Sequence, residues 1–129
     1  FITVYRAPNT NISETKNLCE CLDSIIPKHV NVVITGDFNV PHVNWSQYPS
    51  SCSNAGGLIH WFATEHCLTQ IAQQPTRDGA LLDLVFVSDA FVNCMVSNLG
   101  PVCDSDHSAQ HILLQAPISL SIVILHELR

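Results

Sequence analysis

The stretch from Val32 to Asn39 (VVITGDFN) constrains the fold more than any other part of the chain. Its first four residues have strong β propensity and are bounded by Asn31 and Gly36, which is typical of a buried central strand. Gly36 predicts a sharp turn of the backbone where the strand ends. Asp37 and Asn39 follow two residues apart, so their side chains point the same way if the extended geometry continues. In open, helix-flanked sheets ligands bind at this end of the strands, so we expect a site there.

This pair of side chains is suited to chemistry on a polar substrate. Asp37 can accept a proton or orient a nucleophile, and Asn39 can donate a hydrogen bond to an oxyanion. The alternative interpretation is a turn rich in Asp and Asn that simply caps a strand.

Composition predicts one globular domain. The 129 residues are 47% apolar, which suffices for a core and excludes a disordered segment. The net charge of −6 argues against a nucleic-acid partner, unless the acids bind metal or basic surface lies elsewhere.

The six cysteines contain no C-x-x-C pair, so we expect buried, reduced thiols, no structural zinc site and an intracellular location. The start at Phe1 within strand-like sequence predicts a piece of a longer protein without a signal peptide.

The order of apolar runs predicts strands alternating with helices, as in α/β layers. Asn11 and Glu14 have capping-box spacing at the start of the first helix. A second helix starts at Gly56-Gly57 with Leu58, Trp61 and Phe62 on its apolar side. The predicted strands are 1–5, 32–35, 68–71, 81–88, 91–96 and 107–114, the first helix is 12–26, turns or loops are 41–54, 75–79 and 100–105, and the tail 118–128 is another strand or an extension.

Asp83 and His107 are out of place for a packed core. Asp83 lies inside the apolar run LLDLVFVS, where a carboxylate is costly to bury without a partner. The economical explanation is that Asp83 contacts His107, fixing the tautomer and stabilising the imidazolium form. Asp106 would then point to the other side of the strand, free to hold a metal ion. A zinc role for His107 and His111 is disfavoured because the pair does not fall in a predicted helix.

Several short motifs in a fixed order carry a resemblance to a known family. They are Tyr5-Arg6-Ala7-Pro8-Asn9, Gly36-Asp37-Phe38-Asn39, VPHVNW at 40–45, Pro75-Thr76-Arg77, LDLVF at 82–86 and Ser105-Asp106-His107. With these motifs the chain resembles the endonuclease/exonuclease/phosphatase superfamily, and within it the apurinic-type endonuclease domain of non-LTR (LINE-like) retrotransposons. The resemblance implies the second half of a DNase I-like four-layer α/β sandwich, with residues 1–116 inside the domain and 117–129 an apolar tail.

The resemblance also implies Mg²⁺-dependent (or Mn²⁺-dependent) cleavage of DNA that leaves a 3′-hydroxyl. Asp37 would orient or deprotonate the attacking water and His107, held by Asp83, would contact a non-bridging oxygen. Asp106 would sit at the metal. The other implied contacts are Tyr5, Asn39 and Asn9 to the phosphate or the lining of the site, and Thr76 and Arg77 to DNA beside it.

The intact protein would act in the nucleus, nicking target DNA to prime a downstream reverse transcriptase. The chain departs from the family pattern because the family's metal-binding Glu and an early Asn precede the Tyr strand. Glu14 and Glu20 do not replace them, since they lie on the predicted helix between motifs. We therefore expect residues 1–129 alone to be a poor nuclease. The alternatives are a non-catalytic or degenerate remnant, and a phosphomonoesterase of the same superfamily, which the VPHVNW and PTR motifs disfavour.

Overall fold

The structure is a computed structural model that describes residues 1–26, 31–47, 51–91, 93–115 and 123–124. Strands alternate with helices up to residue 70, and the described elements after it are strands apart from one 3₁₀ helix. No helix among the described residues is long and apolar enough to cross a bilayer. The elements are β1 (Ile2–Tyr5), α1 (Ile12–Ile25), β2 (Val33–Asp37), α2 (Ala55–Glu65), β3 (Thr69–Gln70), β4 (Asp83–Val87), a 3₁₀ helix (Asp89–Phe91), β5 (Met95–Pro101), β6 (Ser108–Leu113) and β7 (Val123–Ile124).

Five strands form the central sheet, in the order β3-β4-β2-β1-β7. Strand β1 runs parallel to β2 and β7, whereas β4 runs antiparallel to β2 and β3. This arrangement brings the carboxyl ends of β1 and β2 beside the amino end of β4. As a result Tyr5, Asp37 and Asp83 lie in one row across three neighbouring strands.

Gly36 is required by the close approach of β1 rather than by a turn. The residue lies inside β2, paired with Val4 on one side and Leu84 on the other. Its φ is +142°, and an added Cβ would lie 1.8 Å from the carbonyl oxygen of Val4. The prediction of a sharp turn at Gly36 is therefore wrong, because the strand continues to Asp37.

Two apolar layers pack on opposite faces of this sheet, as the alternation of side chains along a strand requires. Ile34, Leu84 and Phe86 face helices α1 and α2, whereas Val33 and Val85 face the hairpin of β5 and β6. The described residues thus form three layers: helices, five-stranded sheet and two-stranded sheet.

The hairpin is attached to the segment before β4 by hydrogen bonds. The side-chain Nδ2 of Asn98 donates to the Pro75 carbonyl at 2.8 Å. The Ser108 N–H donates to the Thr76 carbonyl at 2.8 Å. Because Ser108 follows His107, this attachment places the histidine beside the end of β4.

Most predicted elements are confirmed within a few residues, including the capping box between Asn11 and Glu14. The predicted strand 91–96 is wrong, because the chain turns through a 3₁₀ helix that buries Phe91 and β5 begins only at Met95. The predicted loop 100–105 consequently begins after Pro101. In the tail, Val123–Ile124 pairs with β1, while the predicted boundary at 116–117 lies outside the described residues.

Two predictions about burial are also wrong. The packed face of α2 contains Ile59, Phe62 and Ala63, and Trp61 is exposed. The cysteines are free thiols as expected, but they are not buried: Cys19 and Cys94 are half-buried and the other four are exposed. A thiol in an apolar sequence context is therefore a poor guide to burial in this chain.

Candidate active site

The imidazole of His107 lies between two carboxylates at the edge of the central sheet. Its Nδ1 is 2.8 Å from Asp83 Oδ2, a hydrogen bond, and its Nε2 is 3.8 Å from Asp37 Oδ2. The second distance is too long for a hydrogen bond. This geometry confirms the predicted contact between Asp83 and His107. It also leaves Nε2 and the Asp37 carboxylate facing each other across a gap that a third group can enter.

Asp37 is the carboxylate whose proton affinity the fold changes most clearly. Partial burial raises the pKa of its carboxyl group, and the nearby negative charge of Asp83 raises it further. The Asn39 N–H, which donates to Asp37 Oδ1 at 3.0 Å, and the charge of His107 act in the opposite direction. A carboxylate with a raised pKa is a stronger general base than an exposed one.

Asn39 does not continue the extended geometry of β2. Its φ is +50°, in the left-handed region that Asn tolerates better than most residues. Its Nδ2 donates to the carbonyl oxygen of Arg6 at 2.8 Å. The expectation that Asn39 points the same way as Asp37 by strand alternation is therefore wrong, and its role in binding phosphate stays a prediction.

Thr76 is an internal residue. It is 2% exposed, and its Oγ1 accepts from the backbone N–H groups of Leu82 and Asp83 at 3.2 Å each. The predicted DNA contact conflicts with this burial, because the hydroxyl faces the backbone at the start of β4. In this structure Thr76 influences the site by holding Asp83.

Asp106 and Arg77 form an ion pair. The Arg77 guanidinium Nη2 lies 3.0 Å from Asp106 Oδ2, and both side chains are substantially exposed. The prediction that Asp106 is free is thus wrong, although a role at a metal stays a prediction. Arg77 lies on a tight turn that pairs it with Ala80, and its contact with DNA stays a prediction.

Tyr5 and Asn9 are both exposed, which is compatible with their predicted contacts to a phosphate or the site lining. Tyr5 lies in register with Asp37, so its ring belongs to the same row. Asn9 lies in a turn that follows β1. No described contact joins Asn9 to His107 or to either carboxylate.

Asp37, Asp83 and His107 offer ligand atoms that all lie within 4.8 Å of one another, which is compact enough for a metal ion. The two carboxylates suit Mg²⁺, which binds oxygen and is usually held by one or two carboxylates. The imidazole is less suited to Mg²⁺ than to transition metals such as Mn²⁺ or Zn²⁺. The donor set therefore fits a divalent cation at the carboxylates. Asp106 is outside this cluster.

Sequence reasoning assigned no role to Arg6, Thr15 or Gln110, which support the site. Gln110 Nε2 donates to the Asp83 carbonyl at 3.1 Å, and Arg6 donates to Thr15 Oγ1 at 2.9 Å. One sequence signal was available: Thr15 lies on the apolar stripe of α1 with Leu18 and Leu22, where a buried hydroxyl needs a partner.

Comparisons with known proteins agree with this fold. A sequence model of a family described as endonuclease-reverse transcriptase matches residues 1–111. The endonuclease domain of TRAS1, a telomere-specific non-LTR retrotransposon, is structurally similar, with a TM-score of 0.64 and 17% identity over 87% of this chain. The chain spans 55% of that structure. No curated protein matches the sequence of this chain significantly. The structural likeness confirms the predicted DNase I-like α/β fold.

Proposed function

The chain belongs to the endonuclease-reverse transcriptase family, and we propose that it contributes the catalytic groups of a metal-dependent endonuclease that nicks DNA. The observation that carries this proposal is the position of His107, whose two ring nitrogens face Asp83 at 2.8 Å and Asp37 at 3.8 Å. Catalysis of phosphodiester cleavage needs positioning and charge stabilisation, which such a cluster supplies.

Each residue of the cluster has a distinct role in this proposal. Asp37 accepts the proton of the attacking water, because its raised pKa suits a general base and its Oδ1 is fixed by the Asn39 N–H. His107 donates from Nε2 to a non-bridging oxygen while Asp83 holds Nδ1. The water oxygen bonds to phosphorus while the bond from phosphorus to O3′ breaks, which leaves a 5′-phosphate, and the departing oxygen takes a proton from solvent to become the 3′-hydroxyl.

The substrate contacts come from polar groups around this cluster. The Tyr5 hydroxyl and the Asn39 amide bind the phosphate, Asn9 helps to line the site, and Arg77 binds DNA beside it. A divalent cation, Mg²⁺ or Mn²⁺, would supply additional charge stabilisation. The carboxylates of Asp37 and Asp83 would hold it, and we propose Asp106, which lies outside their cluster, as a further ligand. In the intact element we propose that nicking occurs in the nucleus and primes a reverse transcriptase.

Plasmid nicking tests the proposal. Because the chain spans 55% of the TRAS1 endonuclease domain, we would assay residues 1–129 both alone and fused to the part of that domain outside the match. We expect Mg²⁺-dependent conversion of supercoiled plasmid to open circles by the fusion. We expect loss of at least about 100-fold in Asp37→Asn or His107→Ala, as for other general acid–base residues.

Matched controls separate chemistry from folding. His42→Ala and Asp104→Asn remove the same chemical groups at exposed loop positions and should nick at the wild-type rate. A folded fusion without nicking, or wild-type rates in both cluster variants, would contradict the proposed function.

A further inference from the structure

Arg6 is a buried arginine directly after β1. Its residue is 4% exposed, and a buried guanidinium requires hydrogen-bond partners because its desolvation is costly. Its Nε donates to Thr15 Oγ1 at 2.9 Å and an Nη2 N–H donates to the Thr10 carbonyl at 3.0 Å. Nη1 donates to the carbonyl oxygens of Phe38 and Asn39 at 3.2 and 3.3 Å. The side chain therefore connects helix α1 to the segment that follows β2.

The backbone of Arg6 bonds to the same segment. Its N–H donates to the Asp37 carbonyl at 2.8 Å, and its carbonyl accepts from Asn39 Nδ2 at 2.8 Å. One residue thus contacts Asp37, Phe38 and Asn39 in succession. Because a guanidinium is planar and its donors have fixed directions, it sets the orientation of its acceptors and not only their distance.

The segment from Asp37 to Asn39 needs such support because its geometry is unusual. Asn39 has a left-handed backbone with φ of +50°, a conformation that persists only where the surroundings determine it. The same residue's N–H fixes Asp37 Oδ1. The orientation of the Asp37 carboxylate therefore depends on the conformation that the Arg6 donors hold.

We propose that Arg6 is a positioning residue, whose guanidinium holds Asp37 and Asn39 in the arrangement that receives the scissile phosphate. The phosphate part of this inference rests on the proposed function, whereas the positioning part does not. Burial prevents Arg6 from contacting the substrate itself, so it acts through the segment that it holds. Thr15, which is fully buried on α1, anchors the other end of the guanidinium.

Hydrogen exchange of single amides tests the positioning without any assay of activity. The variants are Arg6→Gln, which removes the fork, and Thr15→Val, which removes one acceptor at nearly constant volume. Thr15→Ser keeps the hydroxyl, and Lys16→Gln removes one positive charge from the exposed face of α1. The amides to follow are Phe38 and Asn39, which donate to the Leu82 carbonyl and to Asp37 Oδ1.

We expect exchange at Phe38 and Asn39 to become about tenfold faster or more in Arg6→Gln and Thr15→Val, as for a local opening. The amide of Val85, in the middle of the central sheet, should keep its rate. Thr15→Ser and Lys16→Gln should match the wild type. Unchanged rates at Phe38 and Asn39, or equal acceleration at Val85, would overturn the proposal. If Arg6→Gln does not fold, Thr15→Val alone decides between these outcomes.

Nicking kinetics then connect positioning to chemistry. In the fusion described above, Arg6→Gln and Arg6→Lys should lower kcat about tenfold or more with little change in KM, since small misplacements slow chemistry strongly. Thr15→Ser should restore the rate that Thr15→Val loses. Equal loss in both Thr15 variants would contradict the role. A wild-type fusion that does not nick would refute the proposed function while leaving the exchange result to decide the positioning.

Discussion

Replacing Asp37 by asparagine should stabilise the fold while removing nicking. The carboxylate oxygens of Asp37 and Asp83 lie within 4.8 Å of each other, and both side chains are mostly shielded from solvent. At an effective dielectric constant of about 20, two like charges at this distance repel by about 3 kcal/mol. The charge of His107, which acts on Asp37 in the opposite direction, offsets part of this repulsion. We therefore expect Asp37→Asn to raise the free energy of unfolding by about 1–2 kcal/mol at neutral pH.

The gain should depend on pH in a defined direction. Burial and Asp83 raise the pKa of Asp37 above its ordinary value of 3.8, so the folded state holds this proton more tightly than the unfolded state. The loss of stability caused by the ionised Asp37 is absent below pH 3.8. It develops as pH rises through the folded-state pKa and is complete above it. The stabilisation by Asp37→Asn should therefore vanish near the acid limit and be largest at neutral pH.

Thermal unfolding followed by circular dichroism measures this effect. For a chain of this length, about 1–2 kcal/mol corresponds to a rise in Tm of about 3–8 °C. The control Asp104→Asn makes the same change of charge at an exposed position and should shift Tm little. A lower Tm for Asp37→Asn at neutral pH, or the same shift at pH of about 3.5 and about 7, would refute the reasoning.

Three further predictions address other parts of the structure. Asp83→Asn should reduce nicking strongly while DNA affinity, measured by fluorescence anisotropy, stays near wild type, because His107 loses its tautomer partner; equal nicking would contradict the role. Gly36→Ala should lower the free energy of unfolding in urea by about 3–5 kcal/mol, since a Cβ would overlap a carbonyl oxygen of β1; a loss below about 1 kcal/mol would contradict the close approach. Burial raises the pKa of Cys19 to about 11, so at pH of about 8 it should react with iodoacetamide at least about tenfold more slowly than the exposed Cys21, and equal rates, read by mass spectrometry, would contradict the packing of α1.

The contact between Asp83 and His107 was predictable because each residue is out of place in its sequence surroundings. Asp83 in an apolar run and His107 at the start of a strand each violate the pattern around them, and a mutual contact resolves both violations. The distance of 2.8 Å between them confirms this inference. The cost of burying an unpaired carboxylate was therefore enough to predict that Asp83 contacts His107.

Other features could not be predicted because distant segments determine them. Thr76 and Arg77 are neighbours in one motif, yet one is buried against β4 and the other is half-exposed. Asn39, whose backbone is left-handed, donates to the carbonyl of Arg6, 33 residues away along the chain. Similarly, Phe91 begins an apolar run that suggests a strand, but its side chain fills the core from a 3₁₀ turn.

We expect the register that aligns Tyr5, Asp37 and Asp83 to form late in folding. Every pairing in this row joins segments far apart along the chain, and such pairings must overcome a large loss of loop entropy before they contribute stability. The contact between Asp83 and His107, which completes the site, also joins residues 24 positions apart along the chain. A slip of one residue in β2 would turn Asp37 to the opposite face of the sheet. We therefore expect partly folded chains to lack the active site, because Asp37, Asp83 and His107 come together only in the final register.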